Sequence, residues 1–172
     1  MRFSAVSEEV LYTTEPITSV SRSDIALLKS MAMKNTRKRI RLCAHPDTDD
    51  PLHEMIIVHA RGAYIRPHKH PGKSESFHII EGRLKVVIFE EDGGIRDVLR
   101  MGKSGDQILY YRLSESLFHT VIPLSRTAVF HETTNGPFRR GNAVFAPWSP
   151  AEEDERARAA YMRSILSRIN DC

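Results

Sequence analysis

The segment GAYIRPHKHPGKSESFHIIEG, Gly62 to Gly82, sets two histidines one residue apart, then a Pro-Gly break, then a glutamate, all between two glycines. Residues two apart on a strand project to the same face, so His68 and His70 present both imidazoles to one side. Pro71 and Gly72 interrupt that strand and let the chain reverse, so that Glu75 returns a carboxylate toward the same point. The spacing predicts three metal ligands within one short stretch.

A fourth is expected from ESLFHTVIP, where His119 sits in an apolar strand among Leu117, Phe118 and Val121. Burying an imidazole there costs free energy unless it is hydrogen-bonded or bound to something. Three imidazoles and one carboxylate, His68, His70, His119 and Glu75, leave coordination positions open on a five- or six-coordinate ion. Fe(II), Mn(II), Ni(II) and Co(II) suit such a set, and Zn(II) is compatible with it.

The pattern Gly62, His68, His70, Glu75, Gly82 resembles the first cupin motif with every element in place. The second motif is poorly kept: His119 stands at its histidine, but Ser114 and Ser116 replace the usual Pro and Gly, and Pro123 replaces the Asn. More of the chain, through RIRLCAH, HEMIIVHARGAYIRPHKHPGKSESFHIIEG, FHTVIPL, HETTNGPF and FAPWSP, is similar to the WbuC-type cupin fold metalloproteins. That resemblance implies a small antiparallel cupin β-barrel, the jelly roll or double-stranded β-helix, with a bound divalent metal. It also implies an association with cell-surface polysaccharide or sugar-nucleotide metabolism. The function expected is a metal-dependent enzyme acting on a small polar or anionic molecule. The alternatives are a non-catalytic, metal-anchored binding module and a metal-free, sugar epimerase-like cupin.

The rest of the chain fits a mainly β class. Short apolar or alternating runs (HEMIIVHA, SFHII, RLKVVIFEE, IRDVLRM, QILYY, LFHTVIPL, TAVFHET, NAVFAP) are separated by turn chemistry, including EEDGG at 90–94. A helix is expected over about 23–34, with Ser23 able to cap and Ile25, Leu28 and Ala32 forming a stripe. A second is expected over about 150–169, with Ser149 as N-cap, Pro150 at the first position and Glu152 completing a capping box. Ala157, Tyr161, Ile165 and Ile169 recur every four residues along it. One domain is expected across 1–172, with the barrel at about 37–148.

Composition excludes several classes. Hydrophobic residues at 41% and charged ones at 27% match an ordinary globular mixture, so disorder and membrane insertion are disfavoured. No signal-peptide core is visible, so a cytoplasmic protein is expected. Cys43 and Cys172 are too few for a disulfide framework and are read as reduced thiols. The basic run NTRKRIR lacks interleaved aromatics, which favours an anion-binding or solvated face over nucleic acid. A small-molecule ligand and a homodimer are the expected partners.

Arg39, Arg41, Cys43 and His45 alternate onto one face of a strand. Arg41 and His45 are candidate substrate contacts, because a guanidinium can hold a carboxylate or phosphate by paired hydrogen bonds. Arg39 is expected on a solvated edge and Cys43 as a small buried hydrophobe. Tyr64 and Arg66 flank the ligand histidines and are further substrate-binding candidates. Lys69 should point away, and Lys73 is expected to be solvated. His78 falls on the face opposite Glu75. Glu132, beside His131, is a candidate acid/base or pocket residue.

Overall fold

The structure, a computed structural model, describes residues 1–139 and 141–170, so Cys172 lies outside the described residues. In chain order the elements are β1 (Phe3–Ala5), β2 (Val10–Thr13), α1 (Arg22–Lys34), β3 (Arg39–Cys43), β4 (Leu52–Ala60), β5 (His68–Lys69) and β6 (Glu75–Glu81). There follow β7 (Leu84–Phe89), β8 (Ile95–Met101), β9 (Tyr110–Leu113), β10 (Phe118–Pro123), β11 (Thr127–Asn135), β12 (Val144–Phe145) and α2 (Glu155–Asn170).

The strands form two sheets, one of seven in the order β1-β2-β3-β4-β11-β6-β9 and one of five in the order β12-β5-β10-β7-β8. Pairing is antiparallel except where β2 joins β3 in parallel. The fold is therefore mainly β with the two sheets of a jelly roll, as expected; among the described residues no strand ladder closes the two sheets on each other. Outside the strand ladders, Met101 at the end of β8 forms a bridge to Ile108, just before β9.

Alternation dictates what fills the sandwich. On β4 and β11, Met55, Ile57 and Phe130 point inward to meet Leu84, Val86 and Ile88 of β7. The opposite parity of β7, Val87 and Phe89, packs under Ile165 and Ile169 of α2. That is why β7 reads as an unbroken apolar run: both its faces are covered. Leu28 and Ala32 of α1 cover Leu42, Val58 and Val129 on the outer side of the larger sheet. Each large side chain buried in this way contributes about 1.5–3 kcal/mol.

Both helices start elsewhere than the sequence suggests. Ser21, not Ser23, caps α1, because Asp24 lies three residues on and completes a reciprocal capping box: Asp24 N–H donates to Ser21 Oγ at 3.3 Å and Ser21 N–H to Asp24 Oδ2 at 2.8 Å. Helix α2 starts at Glu155, with Asp154 Oδ1 accepting from Ala157 N–H at 2.9 Å. Ser149 cannot cap it, since its hydroxyl donates to the Ala146 carbonyl at 2.8 Å and accepts from Arg66 Nε at 3.1 Å. Among the described residues, no helix is long and apolar enough to cross a membrane.

Gly82 occupies a site where glycine is required. Its φ is +78°, and a Cβ there would lie 2.2 Å from the Thr127 carbonyl oxygen. Gly82→Ala is expected to destabilise the protein by at least about 2 kcal/mol, from left-handed strain plus the clash with backbone. Urea unfolding at neutral pH would measure it; a loss under about 0.5 kcal/mol would contradict this account.

Candidate metal centre

The inner face of the larger sheet is a grid of rows set by strand register. Glu75 lies beside Thr134 and His53; one row along, Phe77 lies beside Glu132, Met55 and Cys43; the next holds Ile79, Phe130, Ile57 and Arg41. Glu75 and Glu132 are thus diagonal neighbours on adjacent strands. Across the sandwich, β5 pairs with β10 so that His68 stands opposite His119. His70 lies just past β5, on the same side as His68.

These elements bring together the four residues expected from the sequence. The ligand nitrogens of His68, His70 and His119 lie within 4.8 Å of one another. Glu75 Oε1 is 3.0 Å from His119 Nε2, and Oε2 is 3.7 Å from His70 Nε2.

Orientation of the rings comes from backbone carbonyls. His68 Nδ1 donates to Arg66 O at 2.8 Å, His119 Nδ1 to Leu117 O at 3.0 Å and His70 Nδ1 to Asn142 O at 3.4 Å. A carbonyl can only accept, so each Nδ1 carries the hydrogen and each Nε2 is left as the atom facing the centre. Tyr111, unremarked in the sequence, donates its hydroxyl to Glu75 Oε1 at 2.7 Å. The donor set fits a divalent ion: neutral imidazole nitrogens and a carboxylate converge, and their outer atoms are already held.

Electrostatics follow from burial and proximity. Burial pushes the Glu75 carboxyl upward, but His119 and the Tyr111 hydroxyl outweigh it and hold it at about 2. Burial would lower His119, yet the Glu75 carboxylate raises it, so the metal-free pair shares a proton as an ion pair. Burial and the neighbouring His119 and His70 press His68 down to about 3. Burial, then the Glu75 charge, lifts Glu132 to about 8, so it holds a proton at neutral pH.

The centre lines a cavity of about 640 Å³ whose walls include Arg39, Arg41, His59, Phe130, Glu132 and Phe138. Near its Glu9 and Glu152 wall, Arg39 reaches Glu9 at 2.9 Å and Glu152 at 3.1 Å, and Arg37 pairs with the same two carboxylates. Arg39 is therefore a half-buried anchor and not a solvated edge residue, because two acids from distant segments meet it.

The other expected contacts divide. Arg41 lines the cavity, and its Nε is buried without a hydrogen-bond partner. Arg66 lines it too, but its guanidinium is hydrogen-bonded to Ser149 and lies over the Phe145 ring. Tyr64 does not line it: its hydroxyl donates to the Pro150 carbonyl at 2.8 Å and its ring meets Tyr161 of α2. His45 is not on the wall of this cavity; it stacks on His53 with ring centroids 4.0 Å apart and lines an adjoining cavity that His70 and Arg41 also reach.

Lys69 points away, as expected, to Glu91. Lys73 is not simply solvated, since it donates to the carbonyls of Asn135 and Pro137. His78 is exposed and Cys43 buried, both as expected. His59 is a cavity residue that the sequence left unmarked; its alternation with Met55 and Ile57 is the signal that could have found it.

A family described as a domain of unknown function, DUF6016, matches residues 20–101, just under half of the chain. Among curated proteins, none matches. The chain is similar to the X-ray structure of protein SO0799 from Shewanella oneidensis, at 7% identity over 72% of this chain and 77% of that one, with a TM-score of 0.52. It is also similar to the cupin domain of Schizosaccharomyces pombe Cnp3, at 14% identity over 58% of this chain and 66% of that one, TM-score 0.45. Bacillus subtilis oxalate decarboxylase, a protein described with Mn(II) centres, matches at 19% identity over 56% of this chain and 24% of that one, TM-score 0.44. At these identities the likeness is one of fold.

Proposed function

We propose that His68, His70, Glu75 and His119 hold one divalent metal ion and that the chain is a metal-dependent enzyme acting on a small anionic molecule. One observation carries the reading: three imidazoles, each anchored through Nδ1, converge within 4.8 Å of one another on the wall of a large cavity, with the buried Glu75 carboxylate against two of them, His70 and His119. A bound ion would supply Lewis-acid polarisation or an activated water at that wall.

The chain's own residues supply the rest. Arg41, whose buried Nε has no hydrogen-bond partner, lines the cavity and offers its guanidinium to an anion there. Glu132, which burial and the Glu75 charge hold protonated at neutral pH in the metal-free protein, lines the same cavity and is the acid/base candidate for a bound group. A metal-free epimerase would need a free tyrosine acid. Tyr111 is committed to Glu75 and its hydroxyl is pushed upward by burial and that carboxylate, which disfavours this alternative. The WbuC-type assignment, and with it a role in cell-surface polysaccharide or sugar-nucleotide metabolism, rests on the motif segments and belongs to the same proposal.

Elemental analysis of protein purified without chelator tests the centre. About one equivalent of metal, absent from His70→Ala, is expected. No metal in either protein, and none taken up on incubation with Mn(II), Fe(II), Ni(II), Co(II) or Zn(II), would refute the proposal. Tyr111→Phe is expected to weaken metal binding about 10- to 100-fold, because it frees the carboxylate from its outer hydrogen bond. Competition with a chromophoric chelator measures this, and an unchanged affinity would remove Tyr111 from the account.

A further inference from the structure

We infer that the substrate is an extended carboxylate, whose acid group meets Arg41 and whose apolar or aromatic arm fills a second lobe of the cavity. This rests on the reading of the histidines as the reactive end.

A second cavity, of about 660 Å³, adjoins the first. The two share Val10, Arg41, His70, Glu132, Phe138 and Ala143 as walls. Of the four centre residues, His70 alone reaches the second lobe. Register explains the arrangement. Val10 and Tyr12 of β2 continue the inner rows of Arg41 and Cys43, so adding β2 to the sheet extends its inner face beyond the centre.

Charge at the waist selects the head group. Arg37 and Arg39 are ion-paired with Glu9 and Glu152. Arg66 is bonded to Ser149 and Lys73 to two carbonyls. Among the described residues Arg41 has no hydrogen bond or ion pair, and its Nε is buried. A buried guanidinium nitrogen without an acceptor is costly, and a carboxylate relieves that cost with paired, charge-assisted hydrogen bonds. Arg41 is a single cation with a planar pair of donors, the geometry that one carboxylate head group matches.

The walls of the second lobe select the arm. Val10, Tyr12, Cys43, Met55 and Phe138 line it, so an apolar ring or chain is removed from water there. A molecule lying across the waist places its polar end beside the histidines and its arm beside Met55.

Binding of three probes to the full-length protein, both metal-loaded and chelator-stripped, tests this by calorimetry: 3-phenylpropanoate, propanoate and 3-phenylpropan-1-ol. The expected result is that 3-phenylpropanoate binds at least tenfold more tightly than either of the others. Arg41→Gln should erase the preference for acid over alcohol while leaving the alcohol's affinity unchanged. In protein labelled with [methyl-13C]methionine, the Met55 signal, assigned through Met55→Leu, should shift with both phenyl compounds and not with propanoate.

Equal binding of acid and alcohol, no advantage for the phenyl arm, or no binding of 3-phenylpropanoate at 10 mM would each overturn the inference. The two proposals fail separately. Stoichiometric metal uptake without probe discrimination removes the extended carboxylate alone. Probe discrimination in a protein that takes up no metal retains the two-lobed site and removes the metal centre.

Discussion

Replacing His119 with alanine is expected to abolish metal binding and to lower the stability of the metal-free protein by about 3–5 kcal/mol. The side chains of His119 and Glu75 are 2% and 5% exposed, and the pair is 3.0 Å apart. Removing the imidazole leaves a buried carboxylate with the Tyr111 hydroxyl as its remaining hydrogen-bond donor. The pH window fixes the sign. Glu75 is held at about 2 against an ordinary 4.5, so its contribution is complete above pH 4.5 and is lost as pH falls toward 2. His119 is raised above 6.5, so its contribution is complete below pH 6.5 and is lost as pH rises through its native value. The two shifts describe one interaction and are not added. The difference between wild type and His119→Ala should therefore be largest between pH 4.5 and 6.5. Urea unfolding of chelator-treated protein at pH 5.5, 7.5 and 3 measures it. A variant within about 1 kcal/mol of wild type at pH 5.5 would show that Glu75 does not depend on His119.

The centre was legible because short-range rules govern most of it. His68 and His70 are separated by the period of a strand, and Pro71-Gly72 marks the reversal that brings Glu75 back. His119 was legible for a different reason: an imidazole inside an otherwise apolar strand needs a partner. Gly62 and Gly82 both have positive φ, as motif glycines at turns should. What registers across strands decide was hidden. Tyr111 reaches Glu75 only because β9 pairs with β6 so that Tyr111 stands opposite Phe77, one row from the carboxylate.

The misplacements share that origin. Tyr64 was expected at the site for its closeness in sequence to the histidines, but residues 61–67 precede β5 and are not a strand, so that closeness does not carry its side chain into the cavity. Ser149 looked like a helix cap until Arg66 and the Ala146 carbonyl claimed its hydroxyl. Arg39 looked solvated because Glu9 and Glu152 lie 30 and 113 residues away. Local pattern carries periodicity and turns, whereas ion pairs and cavity walls depend on which strands meet.

Loss of stability in mild acid is the second large expectation, and His59 is its main source outside the metal centre. His59 is 7% exposed, packs edge-on against Phe130, and its Nδ1 has no hydrogen-bond partner. Burial, reinforced by the Arg39 charge, lowers it to about 3. A base with a depressed native pKa binds its proton in the unfolded chain first, so stability falls as pH drops from 6.5 toward 3. At pH 4.5 this one side chain lowers stability by about 3 kcal/mol relative to pH 7.5, a large share of an ordinary domain's total. His68, lowered for the same reason, acts in the same direction in metal-free protein. His59→Phe separates the two. A ring of similar shape without the orphaned nitrogen is expected to be neutral or slightly stabilising at pH 7.5. It should recover about 3 kcal/mol at pH 4.5, with the remaining acid sensitivity tracing to the other histidines that burial lowers, His45, His53, His68 and His70, and to Glu75 at lower pH. Equal pH slopes for His59→Phe and wild type in urea unfolding between pH 7.5 and 4.5 would place the acid sensitivity elsewhere. The slope matters for function as well as for stability, because His59 and Arg39 share the cavity wall, and a proton on His59 would set a second positive charge beside the route to the centre.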